Sequence, residues 1–175
     1  METLVQKAKK IRLVIFDVDG ILTTGKLFYG NNGIELKAFH VYDGIGLKML
    51  QQSGVTVAII TARQSEAVTK RMQDLKINHV YQGQSDKLIA YQELKQKLNL
   101  EDEQIAFVGD DLPDLPILRR TGLSITVPNA PVIMQEYTNL VTHTRGGYGA
   151  AREVCELIMR AQGTFQGLVD AYVQR

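Results

Sequence analysis

Leu13-Val14-Ile15-Phe16-Asp17-Val18-Asp19-Gly20 opens the reading of this chain. Four consecutive apolar residues describe a short strand covered on both faces. Two acids follow, two positions apart, and then a glycine. Alternation along an extended chain sets Asp17 and Asp19 on the same side, and the glycine allows a sharp departure of the backbone. Such a pair can cap a helix or shape a turn. At the mouth of a buried strand, however, it costs desolvation unless a cation compensates.

A second stretch repeats the pattern. Ile105-Ala106-Phe107-Val108 runs into Gly109-Asp110-Asp111-Leu112-Pro113-Asp114. If both runs are neighbouring parallel strands, Asp17, Asp19, Asp110 and Asp111 converge at the sheet edge where open α/β sheets bind their ligands. Like charges about 4 Å apart repel by about 4 kcal/mol at an effective dielectric of about 20, so a hard divalent cation is expected among them. Ligands that are all oxygen select magnesium over zinc. His40, His79 and His143 lie far apart and lack metal-ligand spacing, so they read as ordinary polar residues. Between the acidic clusters, the apolar run Val55–Ile60 ends in Thr61, and Gln82-Gly83-Gln84-Ser85-Asp86 leads into Lys87 at the start of a helical pattern. A hydroxyl and an ammonium at the same edge can hold the oxygens of a phosphoryl group.

The surrounding pattern is an alternation of strands, near 13–16, 56–60, 79–81, 105–108 and 124–127, with amphipathic helices such as those carrying Val68, Met72 and Leu75 or Ala151, Val154, Cys155 and Ile158. This predicts a doubly wound, Rossmann-like parallel sheet with helices on both faces, and a short helix beginning at Pro131. One element breaks the alternation: Gly25–Tyr29 and Glu35–Phe39 flank Gly30-Asn31-Asn32-Gly33, a hairpin signal over 25–39 whose apolar residues call for burial against other subunits. Only 41 residues separate Asp19 from Thr61, and hairpin plus helix 44–53 use most of them, so no cap domain is expected. Neighbouring subunits or the tail 163–175 must then help exclude water from the site. Phe165, Leu168, Val169, Tyr172 and Val173 give that tail a helical stripe behind a Thr164 N-cap. Arg145-Gly146-Gly147-Tyr148-Gly149 can present backbone donors and a guanidinium to an anion or form a turn, and a supporting role is expected.

At 175 residues the chain reads as one domain, 1–175, able to bury about 70% of its unfolded surface without a disulfide. Its net charge of +1, with no basic run, speaks against nucleic acid. No apolar run approaches the roughly 20 residues of a membrane span, and the charged N-terminal residues do not form a signal peptide, so a cytoplasmic protein is expected. Cys155, the one cysteine, sits on an apolar helix face and reads as a buried, unreactive thiol.

In the order acid pair, threonine, lysine, double acid, the chain resembles the haloacid dehalogenase superfamily of phosphohydrolases, in its capless form. More closely, Phe39-His40-Val41-Tyr42-Asp43-Gly44, Ile59-Ile60-Thr61-Ala62-Arg63, Tyr81-Gln82-Gly83 and Arg145–Ala150 are similar to the 3-deoxy-D-manno-octulosonate 8-phosphate phosphatases. The resemblance implies a magnesium-dependent phosphomonoesterase of lipopolysaccharide precursor synthesis. In it Asp17 attacks phosphorus to form an aspartyl phosphate, and Asp19 protonates the leaving oxygen and then activates water. Magnesium is held by Asp17, the Asp19 carbonyl and Asp110, the phosphoryl oxygens by Thr61 and Lys87, and Asp111 and Asp114 support by orienting metal-bound water or Lys87. The resemblance further implies a homotetramer packed around its hairpins, with the C-terminal segment approaching a neighbour's site. A phosphorylated sugar acid is the expected substrate, bound by Asp19, His40, Val41, Tyr42, Asp43, Gly44, Lys48, Arg63, Arg71 and Lys87. Several members of the resembling family carry arginine where this chain has Tyr42. Arg63 favours the eight-carbon acid over a nine-carbon ulosonic acid 9-phosphate. A receiver-like phospho-signalling domain has the same residue types in a different order, and a catalytically silent scaffold is opposed by the intact Asp19.

Overall fold

A sheet of six parallel strands carries the chain, as seen in a computed structural model that describes residues 2–174. The outermost residues of the predicted domain and tail, Met1 and Arg175, lie outside the described residues. β1 (Leu13–Phe16), β4 (Thr56–Ile60), β5 (His79–Tyr81), β6 (Ile105–Val108), β7 (Leu123–Thr126) and β8 (Leu140–Val141) stand in the order β5-β4-β1-β6-β7-β8. All four residues of β1 and of β6 are buried, as continuous apolar runs require when both faces are covered. β1 pairs with β4 from Leu13↔Thr56 to Phe16↔Ile59 and with β6 from Leu13↔Ile105 to Phe16↔Val108. The strand order therefore reverses beside β1, and the carboxyl ends of β1 and β6 meet at the switch point that open α/β sheets use for ligands.

Helices cover both faces. α1 (Leu4–Lys10) and α2 (Val41–Gln52) pack against α6 (Ala150–Ala161) on one face, joined by α3 (Glu66–Asp74), whose Leu75 cap lies beside Gly44 of α2. α4 (Lys87–Leu98) and the short α5 (Leu115–Leu118) cover the other. Cys155 is buried in α6, where burial pushes its thiol up, so it stays an unreactive packing group. Pro131 stands one position before a 3-10 turn, Val132–Tyr137, in place of the expected first helical turn.

The predicted hairpin is present but short: β2 (Phe28–Tyr29) and β3 (Glu35–Leu36) pair antiparallel across Asn31–Gly33, where Asn32 and Gly33 take φ of 66° and 76°. Leu27, Phe28, Ile34 and Leu36 are exposed. Between Asp19 and Thr61, and between Thr61 and Lys87, the chain holds this hairpin with α2, and α3 with β5, and no further folded unit.

The tail forms α7 (Phe165–Val173), and it docks on its own chain. Gly163, at φ 73°, ends α6 and turns the backbone; Thr164 N–H then donates to Met159 O at 2.9 Å. Phe165 enters the core with the Arg160 guanidinium 3.9 Å from its ring centroid, and Leu168 and Val169 pack beside it. Thr164 occupies the cap position, but its hydroxyl turns back to Met159 O at 3.3 Å and caps nothing.

Candidate active site

The backbone ladder continues one residue past β1, with Asp17 N–H donating to Val108 O at 2.9 Å, so Asp17 is fixed at the end of the sheet before any side-chain contact is made. Its carboxylate faces Lys87, the first residue of α4, whose turn is started by Asp86 accepting from Leu88 N–H at 3.0 Å. Lys87 Nζ lies 2.9 Å from Asp17 Oδ1 and 2.6 Å from Asp114 Oδ1, and its side chain is only 4% exposed. Burial pushes the Lys87 ammonium down, but the two carboxylates outweigh it and the net shift is upward. Thr61, also buried, ends β4 at the same edge. Asp17, Asp19, Thr61, Lys87, Asp110 and Asp114 line one cavity of about 270 Å³, together with Arg63 and Asp111. A larger, apolar groove of about 510 Å³ between α1 and α6 offers only Glu153, Glu156 and Arg160 as charged groups, and Glu153 is spent on the His143 and Thr144 N–H groups. The acidic cavity is where chemistry is possible.

Its electrostatics ask for a cation. Burial, then Asp114, push the Asp17 carboxyl up to about 6 against the pull of Lys87. Burial, then Asp17 and Asp114, push Asp110 up to about 8. Oxygens of Asp17, Asp110 and Asp114 lie within 4.8 Å of one another. Asp114 is already satisfied: Oδ1 accepts from Lys87, and Oδ2 from the N–H groups of Asp110 at 3.0 Å and Asp111 at 3.3 Å. Asp17 Oδ1 is buried without a hydrogen-bond partner, Lys87 meeting it as an ion pair only. The oxygens free to ligate are therefore those of Asp17 and Asp110. Gly20 is what lets Asp110 approach, because a Cβ there would stand 1.9 Å from Asp110 Oδ2. An all-carboxylate donor set whose clustered charge exceeds the one buried ammonium beside it, and keeps Asp17 and Asp110 raised, fits a hard dication such as magnesium.

The two supporting acids divide. Asp114 does orient Lys87, as expected. Asp111 is exposed at the cavity lining, and its Oδ1 accepts from Leu112 N–H at 2.8 Å to cap the turn Leu112–Asp114, so it pairs with Leu112 and not with Lys87. Urea denaturation should show Asp111→Ala losing about 1 kcal/mol, as for an N-cap, whereas Asp114→Ala should lose about 3 kcal/mol by leaving a buried ammonium half paired.

The remaining predicted residues do not share this cavity within one chain, except Arg63. His40 caps α2, accepting from Tyr42 N–H at 3.3 Å, and Val41, Tyr42 and Lys48 are exposed on that helix. Asp43 is buried and accepts from Arg152 N–H at 2.8 Å, closing the start of α6 in place of a local cap. Gly44 packs against Arg71, whose Nη2 donates to His40 O at 3.4 Å. In the 145–149 loop the Gly146 and Gly147 N–H groups donate to Asn129 Oδ1 and Ile21 O, and a Cβ on Gly146 would collide with Gly20 O. The loop buttresses the turn after the acid pair, and these two amides hold no anion.

Three hairpin residues at the cavity mouth escaped the sequence reading. Lys37 Nζ pairs with Asp19 Oδ1 and, at 3.3 Å, with Glu35 Oε1. Arg63 Nη2 donates to Glu35 Oε2 at 2.7 Å and to Tyr29 Oη at 2.9 Å, while its Nε lies 3.7 Å from Asp19 Oδ2. The signal was available: Glu35 and Lys37 stand two apart in an extended run, hence on one face.

The model of the haloacid dehalogenase-like hydrolases matches residues 77–153. The chain is 46% identical over 166 residues to the 3-deoxy-D-manno-octulosonate 8-phosphate phosphatase of Yersinia pestis, covering 95% of this chain and 89% of that one. It is 48% identical over 159 residues to that of Escherichia coli K12, covering 91% and 85%. Among solved structures, the 3-deoxy-D-manno-octulosonate 8-phosphate phosphatase of Moraxella catarrhalis, in complex with a magnesium ion, a phosphate ion and the sugar acid, superimposes with a TM-score of 0.94 at 47% identity, over 96% of this chain and 97% of that one.

Proposed function

This chain belongs to the haloacid dehalogenase-like hydrolases, in the family of the 3-deoxy-D-manno-octulosonate 8-phosphate phosphatases, and from that premise we propose that it hydrolyses this eight-carbon sugar-acid phosphate, with magnesium, in lipopolysaccharide precursor synthesis. That it is a phosphatase follows from its family. The observation that carries the finer reading is the Asp17 carboxylate at the switch point, ion-paired to Lys87 at 2.9 Å, with oxygens of Asp110 and Asp114 within 4.8 Å of its own.

Asp17 is the nucleophile: its Oδ–phosphorus bond forms as the bond from phosphorus to the sugar oxygen breaks, giving an aspartyl phosphate. Asp19 gives the departing oxygen a proton, then takes one from the water that hydrolyses the intermediate. Lys87 and Thr61 hold the phosphoryl oxygens, and Asp114 keeps the Lys87 ammonium aimed at Asp17. Magnesium, held by Asp17, Asp110 and the Asp19 carbonyl, would neutralise the charge shared by nucleophile and phosphate. The cavity of about 270 Å³ is below the usual 300–1,000 Å³ of small-molecule sites, so the sugar extends out of it past Arg63, which is part of its lining. In our reading His40, Val41, Tyr42, Lys48 and Arg71 act on the sugar acid of a neighbouring subunit's site, within a tetramer that covers the exposed hairpin residues Leu27, Phe28, Ile34 and Leu36, while Asp43 and Gly44, both buried, only hold that helix in place. Among the described residues no helix is long and apolar enough to cross a membrane, and we assign the enzyme to the cytoplasm with its proposed pathway.

The test is phosphate release from 3-deoxy-D-manno-octulosonate 8-phosphate, beside a nine-carbon ulosonic acid 9-phosphate, with magnesium and with chelator. Release from the first, abolished by chelator, is expected. Preference for the nine-carbon substrate would replace the sugar, and no release from either would sink the reading.

Metal-free protein should also show an inverted pH response. Asp17 and Asp110 bind protons more tightly folded than unfolded, so the stability they contribute is present below about pH 4 and is lost as pH rises through about 6 and then about 8. Melting temperatures with chelator should fall across that window, and magnesium should restore more of the loss at the alkaline end. A gain from magnesium that is independent of pH would count against these two ligands.

A further inference from the structure

We propose that Lys37, from the hairpin of the same chain, is the positioning residue of the catalytic acid: it holds Oδ1 of Asp19, so that Oδ2 is the oxygen that serves the leaving group. The inference rests on the phosphatase reading of the site and on the role of Asp19 within it.

Lysine is among the residues least often fully buried, yet the Lys37 side chain is 1% exposed. It is kept there by two carboxylates, Asp19 and Glu35, the second 3.3 Å away. The two oxygens of Asp19 are thereby made unequal. Oδ1 takes the Lys37 ammonium, with the Thr23 hydroxyl at 3.5 Å, whereas Oδ2 is buried without a hydrogen-bond partner and its nearest cation is Arg63 Nε at 3.7 Å. Glu35 and Tyr29 hold Arg63, so the hairpin grips the loop after β4 as well as the loop after β1. Lys37 does not line the phosphate cavity, which separates positioning of Asp19 from contact with phosphate. In the first chemical step the Asp17 oxygen bonds to phosphorus, the bond to the leaving oxygen breaks, and that oxygen takes its electron pair and the proton from Asp19 Oδ2. A carboxylate free to rotate would offer that proton less often.

Leaving groups read this out. Para-nitrophenolate departs without a proton, phenolate needs one more, and a sugar alkoxide needs it most. kcat/KM reports only the steps through departure, so later hydrolysis of the intermediate does not enter. Relative to wild type, Lys37→Met should lose about 100-fold in kcat/KM on the sugar-acid phosphate, less on phenyl phosphate and at most about threefold on para-nitrophenyl phosphate, within the range of general acid catalysis. Lys37→Arg, which keeps the cation, should recover most of the loss. Should Lys37→Met fold poorly by its melting curve, Lys37→Gln is read in its place. An equal loss on all three substrates would mark a merely structural residue and overturn the proposal, as would no loss on any. A wild-type chain that hydrolyses only the two aryl phosphates would discard the sugar assignment, and their ratio would still decide the role of Lys37.

Discussion

Asp17→Asn should abolish phosphate release, lowering kcat by about ten-thousand-fold or more, the scale on which removal of a nucleophile is felt. The amide has the size of the carboxyl group but cannot make an aspartyl phosphate and is a poor ligand for a hard cation. The fold should persist. Asp17 is anchored through its backbone N–H to Val108, and the charge removed is one that burial and Asp114 already disfavour. Steady-state phosphate release and thermal melting on the same sample test this. Near-normal turnover would overturn the assignment of the nucleophile, and a collapsed melting curve would show that the Asp17–Lys87 pair is needed for folding itself.

Lys87→Met should act on both stability and chemistry. The apolar stem is kept and the ammonium lost, so Asp17 and Asp114 face each other without the cation between them. Breaking a buried pair by removing one partner costs about 3–5 kcal/mol, which urea denaturation would show. Loss of a positioned cation at the phosphoryl group should lower kcat/KM by about a hundredfold to a thousandfold. The stability loss should shrink toward about pH 5, where protonation of Asp17, its carboxyl pushed up to about 6 by burial and Asp114, relieves the pair. A variant as stable as wild type at neutral pH would mean that the pair is held by the surrounding fold alone.

What could be read from the sequence follows what the physics makes local. A strand buried on both faces must be apolar throughout, so β1, β4 and β6 declared themselves, and the acids that follow β1 and β6 could be carried to one edge. β8 could not, because two half-buried residues at a sheet edge have no period. α1 was missed although Thr3 and Gln6 form a capping box, a signal of two residues inside a charged segment. Asp111 and Asp114 look alike in sequence; the three-residue turn between them decides which one caps and which one is buried. The partner of Lys37 is 18 residues away, and only the path of the hairpin over the cavity brings them together. The apolar residues of that hairpin drew the reading toward other subunits, while its polar face was turned to its own site.

The placement of β1 between β4 and β6 also sets a timetable for synthesis. A nascent chain can join β1 to β4 and β4 to β5, and cover one face with α2 and α3, well before β6 has been made. Until then the far edge of Leu13–Phe16 has no strand beside it, a template for wrong pairing in the middle of what will be the core. The sequence separation that β6 must bridge makes this pairing slow relative to the local contacts that precede it. Asp110 and Asp114 arrive with β6, so closing the vulnerable edge and completing the acidic cluster are one event. A chain released before β6 would be prone to aggregate and would lack Asp110 and Asp114, so truncation ahead of β6 should yield neither a folded sheet nor a complete metal centre.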